Sequence, residues 1–285
     1  MLHADVDPPL TAVREIVARA LAEDLEPLGD VTSALLPPEL TATAAFVARD
    51  EGVVAGRAAA VETFRQVDPA VELDWLVLDG GTVDPGTVIA TATGSITSLL
   101  IAERTALNFL CHLSGVASLT RRFVRACHGQ ARIWDTRKTT PGLRALEKAA
   151  VRAGGGRNHR GNLSEWVLLK DNHLAVMSIT EAVARARERW PGRTVQVEAD
   201  TIEQLRQAID AGADTVLLDN MAPDEVRAAV EARGDRQRPL LEVSGGVGMH
   251  NVAAYAAAGV DLISIGALTH SAPALDIGFD IEAQV

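Results

Sequence analysis

Lysine is almost absent from this chain. Only Lys138, Lys148 and Lys170 occur, against 24 arginines, and all three fall in one short window. Between Arg137 and Lys170 the window also holds Arg144, Arg152, Arg157, His159 and Arg160, and only Glu147 and Glu165 oppose them. An ammonium is a compact point charge and a guanidinium a planar fork, so one does not replace the other. Lysine kept to one place therefore marks sites where a point charge is wanted. The chemistry this predicts is anion binding, with forks for carboxylates and ammonium groups for phosphate. Lys148, between Glu147 and Arg152, equally fits an exposed helix face.

Two further sets of residues point the same way. Glu198 and Asp219 are acidic groups that end neighbouring apolar runs. Hard carboxylate oxygens suit Mg²⁺ held against a polyphosphate; general acid–base work and charge balance with Lys138 or Lys170 are the competing readings. The glycine-rich stretches SGGVG (Ser244, Gly245, Gly246 onward) and IGALTH (Gly266 to His270) suit a phosphate cradle. Glycine lets backbone N–H groups come close to an anion, a following helix N-terminus adds its dipole, and His270 offers a further donor.

The elements that must position these residues can be read from hydrophobic periodicity. Six short apolar runs follow residue 130, at 131–135, 166–170, 194–199, 214–219, 239–243 and 261–265. Helical patterns fall between them, at 142–153, 178–190, 201–211, 223–233 and 250–258. Alternation of this kind predicts parallel βα units, and six or seven in series predict a barrel. Polar residues follow each run: Asp135, Arg137 and Lys138; Lys170 and Asp171; Glu198 and Asp200; Asp219 and Asn220; Ser244; Gly266. In a parallel barrel all strand C-termini open on one face, so these residues should converge there.

The first part reads differently. Residues 10–24 have helical periodicity, a Pro- and Gly-broken loop follows, and three β-rich runs come at 41–50, 71–80 and 87–95. From Ser98 to Cys127 the pattern is helical again. A small mixed domain of strands against a helix is expected.

Bulk properties exclude several classes. A net charge of -11 argues against nucleic acid, whose phosphates need broad cationic faces. No apolar run reaches the roughly 18 residues of a membrane span. The start MLHADVDPPL lacks the pattern of a signal peptide, which predicts a cytoplasmic protein. The presence of only two cysteines, Cys111 and Cys127, argues against a disulfide framework and against a four-ligand structural zinc site.

The run DTRKTTPGLRALEKAAVRAGGGRNHR (135–160), with LLKDNH after it, closely resembles the quinolinate phosphoribosyltransferases. EDLEPLGDVTS (23–33), ERTALNFLCHLSGVAS (103–118), VEAD (197–200), LLDN (217–220) and LEVSGGV (241–247) support the resemblance across nearly the whole chain. It implies an N-terminal α/β sandwich domain (1–112, completed by the tail 272–285) and an open parallel α/β barrel of six to seven strands (113–271). It implies reaction of quinolinate with phosphoribosyl pyrophosphate to give nicotinate mononucleotide, pyrophosphate and CO₂, a step of NAD biosynthesis that needs Mg²⁺. It also implies a homodimer with shared active sites, in which Arg104 of one copy joins Arg137, His159, Arg160 and Lys170 around quinolinate. Lys138 would lie near the reacting centre, Glu198 and Asp219 would be metal and ribose ligands, and Ser244, Gly245, Gly246, Gly266 and His270 the 5′-phosphate cradle. One stretch departs from the family pattern. After Asn158-His159-Arg160 the chain reads Gly161-Asn162-Leu163-Ser164-Glu165-Trp166 where an apolar residue and Gly-Leu are usual.

No Ser or Cys nucleophile motif is evident, as fits a reaction driven by charge stabilisation. The alternatives are a related molybdenum-transport branch with another acceptor, a Schiff-base aldolase using Lys138 or Lys170 or a sugar-phosphate isomerase, and a non-catalytic barrel that senses a phosphorylated metabolite.

Overall fold

The computed structural model describes residues 7–283, without the side chains of 282 and 283. The outermost residues of the two expected segments 1–112 and 272–285 thus lie outside the described residues. In chain order the strands are β1 (Thr41–Ala48), β2 (Gly52–Val53), β3 (Glu72–Trp75), β4 (Thr82–Val83), β5 (Val88–Ser95), β6 (Arg132–Trp134), β7 (Val167–Leu169), β8 (Val195–Ala199), β9 (Thr215–Asp219), β10 (Leu240–Ser244), β11 (Leu262–Ser264) and β12 (Ile277–Ala283). The helices are α1 (Leu10–Leu25), α2 (Arg57–Val67), α3 (Ile96–Ala126), α4 (Arg144–Ala153), α5 (Asp171–Leu174), α6 (Ile179–Arg189), α7 (Ile202–Asp210), α8 (Pro223–Arg233), α9 (Val252–Ala257) and α10 (Ala267–His270). Two compact units result. One holds residues 1–121, 139–155 and 267–285, and the other 122–138 and 156–266.

The first unit is built on a four-stranded antiparallel sheet in the order β12-β1-β5-β3. The C-terminal strand pairs with β1, placing Phe279 opposite Phe46. Phe46 also meets Phe64 edge-on and stacks on Trp75, so aromatic rings from four elements close this core. In α1, Val13, Val17 and Leu21 are buried, as their i, i+4 spacing predicts. Alternation alone misses α2. Its alanine-rich start has no clear period, and its entry depends on Gly56 (φ 106°) and on the Asp79 carboxylate, which accepts from the N–H groups of Gly56 and Arg57, both at 3.1 Å. The run at 71–80 is a strand only as far as Trp75 before it turns away.

The second unit is a parallel sheet of six strands, the lower of the two expected numbers, in the order β6-β11-β10-β9-β8-β7. Strands buried on both faces read as continuous apolar runs, as β8 and β9 do. β6 and β7 lie at opposite ends of the ladder, so the barrel is open between them. The parallel register sets Asp219 beside Ser244 and Glu198 beside Leu217. Among the described residues no helix is long and apolar enough to cross a membrane.

Candidate active site

The barrel register gathers chemistry at the strand C-termini. A cavity of about 300 Å³ opens there, lined by Thr136, Arg137, Lys138, His159, Arg160, Leu168, Lys170, Glu198, Leu217, Asp219, Glu242, Ser244 and Ser264. A larger cavity of about 520 Å³ in the first unit carries Arg19, Glu23, Asp24 and His112 among its lining. Its charges are of mixed sign, and no set of like cations faces a carboxylate pair there. The smaller cavity is the one whose chemistry is coherent.

Cations line one side of it. Arg137 and Lys138 follow β6, where the Lys138 N–H is held by the Thr136 hydroxyl at 3.0 Å. Asp135, fully buried, anchors the segment beside them: its carboxylate accepts from the His159 N–H at 2.8 Å and from the Asn158 amide at 2.6 Å. Sequence reading noted Asp135 only as a strand end; its structural task is to tie Asn158-His159-Arg160 to β6. Arg160 is buried, and its Nη1 donates to the Trp166 carbonyl at 3.2 Å. Burial, then the charge of Arg137, push the Arg160 guanidinium down from its ordinary value, with Glu165 opposing. Two guanidinium groups held this close are relieved by a bound anion.

Carboxylates line the other side. Glu198 ends β8 and accepts from Lys170 Nζ at 3.0 Å. Asp219 ends β9; burial and the charges of Glu198 and Asp200 push its carboxyl above the ordinary range, against Lys170 and a hydrogen bond from Asn220. Asn220 (φ 55°) donates from Nδ2 to Asp219 at 2.7 Å and from its backbone N–H to the Ser244 carbonyl at 2.9 Å. Sequence reading did not assign Asn220 this orienting task. An arriving anion competes for Lys170, and an arriving cation for Glu198.

At the base of the cavity lie polar side chains that the apolar runs conceal. Gln196 and Glu242 are buried, at 1% and 0% exposure, inside runs read only as apolar strands. A polar residue in the middle of such a run was the available signal, since a buried polar group needs a partner. Burial pushes the Glu242 carboxyl up to about 7, with the Asp135 charge adding and hydrogen bonds from Ser264 and Gln196 opposing.

Eight predicted residues thus meet at one cavity: Arg137, Lys138, His159, Arg160, Lys170, Glu198, Asp219 and Ser244. Gly245 and Gly246 follow Ser244 with φ of 91° and 60°, conformations that glycine adopts without strain. Gly266 follows β11. The helices behind these loops are short: α9 starts only at Val252 and has six residues, and α10 starts at Ala267 and has four. Arg104 and His270 belong to the first unit. Arg104 lies on α3 with its side chain 63% exposed, and His270 is exposed with Nδ1 2.6 Å from the Ser271 hydroxyl. The cationic window is also divided. Arg144, Lys148 and Arg152 lie on α4 of the first unit, where Lys148 is buried rather than on an exposed face. The departing loop at 161–166 is closed on itself, with the Gly161 N–H on Glu165 at 2.7 Å and the Ser164 N–H on Asn162 at 2.8 Å.

Comparison with known proteins agrees with this geometry. Residues 30–114 match the family description "Quinolinate phosphoribosyl transferase, N-terminal domain", and residues 116–280 match its C-terminal domain. The chain is 42% identical over 276 residues to nicotinate-nucleotide pyrophosphorylase (carboxylating) of Mycobacterium leprae (strain TN), covering 95% of this chain and 97% of that one. It is 44% identical over 256 residues to the probable enzyme of the same name from Bacillus subtilis (strain 168), covering 89% and 88%. Among solved structures, the nicotinate-nucleotide pyrophosphorylase of Francisella tularensis superposes with a TM-score of 0.92 at 37% identity, over 97% of this chain and 98% of that one.

Proposed function

Because this chain belongs to the quinolinate phosphoribosyl transferase family, we propose that it joins quinolinate to phosphoribosyl pyrophosphate, releasing pyrophosphate and CO₂ and leaving nicotinate mononucleotide. The observation that carries this reading is the single cavity in which Arg137, His159 and Arg160 face the carboxylates Glu198 and Asp219, with Lys138 and Lys170 beside them. A dicarboxylate fits the guanidinium forks, and phosphate fits the ammonium groups.

In this reading the acceptor's two carboxylates are gripped by Arg137, His159, Arg160 and Lys170. The pyridine nitrogen attacks the anomeric carbon of the ribose as its bond to pyrophosphate oxygen breaks. Lys138 stabilises the charge that moves onto the departing oxygens, and pre-organised charge of this kind supplies most of the acceleration in loose displacements. The ring nitrogen is then positive, so the bond to the neighbouring carboxyl can break, its electrons passing into the ring and a proton replacing CO₂. Ser244, Gly245, Gly246, Gly266 and His270 are proposed for the 5′-phosphate.

Glu198 and Asp219 fit Mg²⁺. They end adjacent strands on one cavity; burial lifts the Asp219 carboxyl first, and the charges of Glu198 and Asp200 that lift it further are what a divalent cation relieves. Among the described residues no cluster of three or more His, Cys, Asp or Glu could hold a metal, so two carboxylates alone would need substrate phosphates and water to complete the ion's shell. Bound there, Mg²⁺ would neutralise the leaving pyrophosphate. A homodimer is also proposed, in which the exposed Arg104 of one copy completes the other's acceptor site. The free thiols Cys111 and Cys127 and the phosphorylated substrates fit a cytoplasmic setting.

The test is release of CO₂ and nicotinate mononucleotide from quinolinate and phosphoribosyl pyrophosphate, with and without Mg²⁺ and with nicotinate as control acceptor. Turnover with quinolinate alone supports the reading. Equal use of nicotinate, or no CO₂, defeats it.

A further inference from the structure

Trp166, Gln196, His159 and Glu242 form a hydrogen-bonded set at the base of the cavity, and one fixed donor determines how the protons are arranged in it. An indole N–H can only donate. The Gln196 atom 3.2 Å from Trp166 Nε1 is therefore its carbonyl oxygen. The Gln196 amide nitrogen accordingly donates to Glu242 Oε2 at 2.7 Å. That same carbonyl oxygen lies 3.1 Å from His159 Nε2, so this nitrogen carries a hydrogen. The other Glu242 oxygen, Oε1, is buried without a hydrogen-bond partner and lies 3.5 Å from His159 Nε2.

Packing keeps the ring in this orientation. The His159 ring centroid is 4.7 Å from Trp166 and 5.8 Å from Trp134, both edge-on, and the His159 backbone is tied to Asp135. Turning the ring over would put a carbon where Nε2 stands and strip the Gln196 oxygen of one donor.

We infer that Gln196 and Glu242 are positioning residues for the acceptor: Gln196 holds the His159 ring in one orientation and in its Nε2–H form, and Glu242 stands behind that N–H. This rests on the proposed role of His159 in gripping the acceptor. It adds two buried residues, Gln196 and Glu242, that act on the acceptor through His159. Trp166, the last residue of the stretch that departs from the family pattern, supplies the donor that orients the Gln196 amide.

Two measurements test it. In ¹⁵N-histidine-labelled protein without substrate, the His159 ring signals, identified by their loss in H159N, should report a hydrogen on Nε2. In Q196M, which keeps the shape and removes the acceptor, the tautomer balance should shift. Separately, E242Q should raise the KM for quinolinate by roughly tenfold, the scale of one lost charge-assisted contact, with kcat and the KM for phosphoribosyl pyrophosphate held within about twofold. An Nδ1–H ring in the wild type overturns the assignment. So does E242Q with an unchanged quinolinate KM, or with both KM values raised alike, as a merely structural role would give. Should wild-type protein fail to bind quinolinate, the functional reading falls, while the ring signals still decide whether Gln196 sets the tautomer.

Discussion

At the scale of single residues, Arg137 and Lys138 should separate chemistry from folding. Both lie at the cavity and neither is fully buried, so Arg137→Ala or Lys138→Ala should lower kcat/KM by about 10²-fold or more, the effect of removing a pre-organised charge from the transition state. Circular dichroism and Tm should stay near wild type, and near-normal kinetics in either variant would refute the assignment. Glu242 makes a prediction in pH. Its folded value of about 7 lies above the ordinary 4.5, so the folded state holds a proton that the unfolded state gives up. The stability this contributes is complete below pH 4.5 and is lost as pH rises towards 7, reaching about 3 kcal/mol for this fully buried group. Glu242→Gln removes the titration. Its Tm relative to wild type should therefore rise between pH 5 and pH 8, and a constant offset would show that Glu242 does not titrate in this range.

At the scale of elements, most of the barrel was legible. Parallel strands covered on both faces are written as apolar runs, and all six runs became strands with helices between them. The first unit was less legible, because α2 begins through a glycine turn held by Asp79, whose partners lie far away in sequence. The loop after β10 offers the sharpest test. A Cβ on Gly245 would overlap the Asn220 side chain, and the φ of 91° is one that L residues rarely adopt. Gly245→Ala should destabilise the fold by about 1–3 kcal/mol and raise the KM for phosphoribosyl pyrophosphate more than that for quinolinate. Thermal melts and substrate titrations read the two effects separately.

For the whole molecule, an acidic chain that takes two anionic substrates must rely on a local field. The net charge of -11 makes the distant field repulsive, and salt screens charges beyond a Debye length of about 8 Å at physiological strength. If the cluster at Arg137–Lys138 steers substrate, kcat/KM should fall as salt rises; a flat response would mean that capture is not electrostatic. The proposed dimer predicts complementation. Arg104→Ala and Lys138→Ala, each inactive alone, should recover roughly a quarter of wild-type activity when subunits are exchanged, since about half of the dimers would carry one intact site.

By itself the sequence determined the family, the parallel barrel and eight of the residues that line its cavity, because each was written locally as a motif or a strand end. Tertiary structure alone divided the cationic window. Arg144, Lys148 and Arg152 read as one cluster with Arg137 and Arg160, yet α4 carries them into the first unit. It also paired Lys170 with Glu198 and set Gln196 and Glu242 beneath His159. The reason is geometric. Strand order in the sheet, not distance along the chain, decides which side chains share a mouth, and a polar residue in an apolar strand shows its partner only when the neighbouring strand is in register.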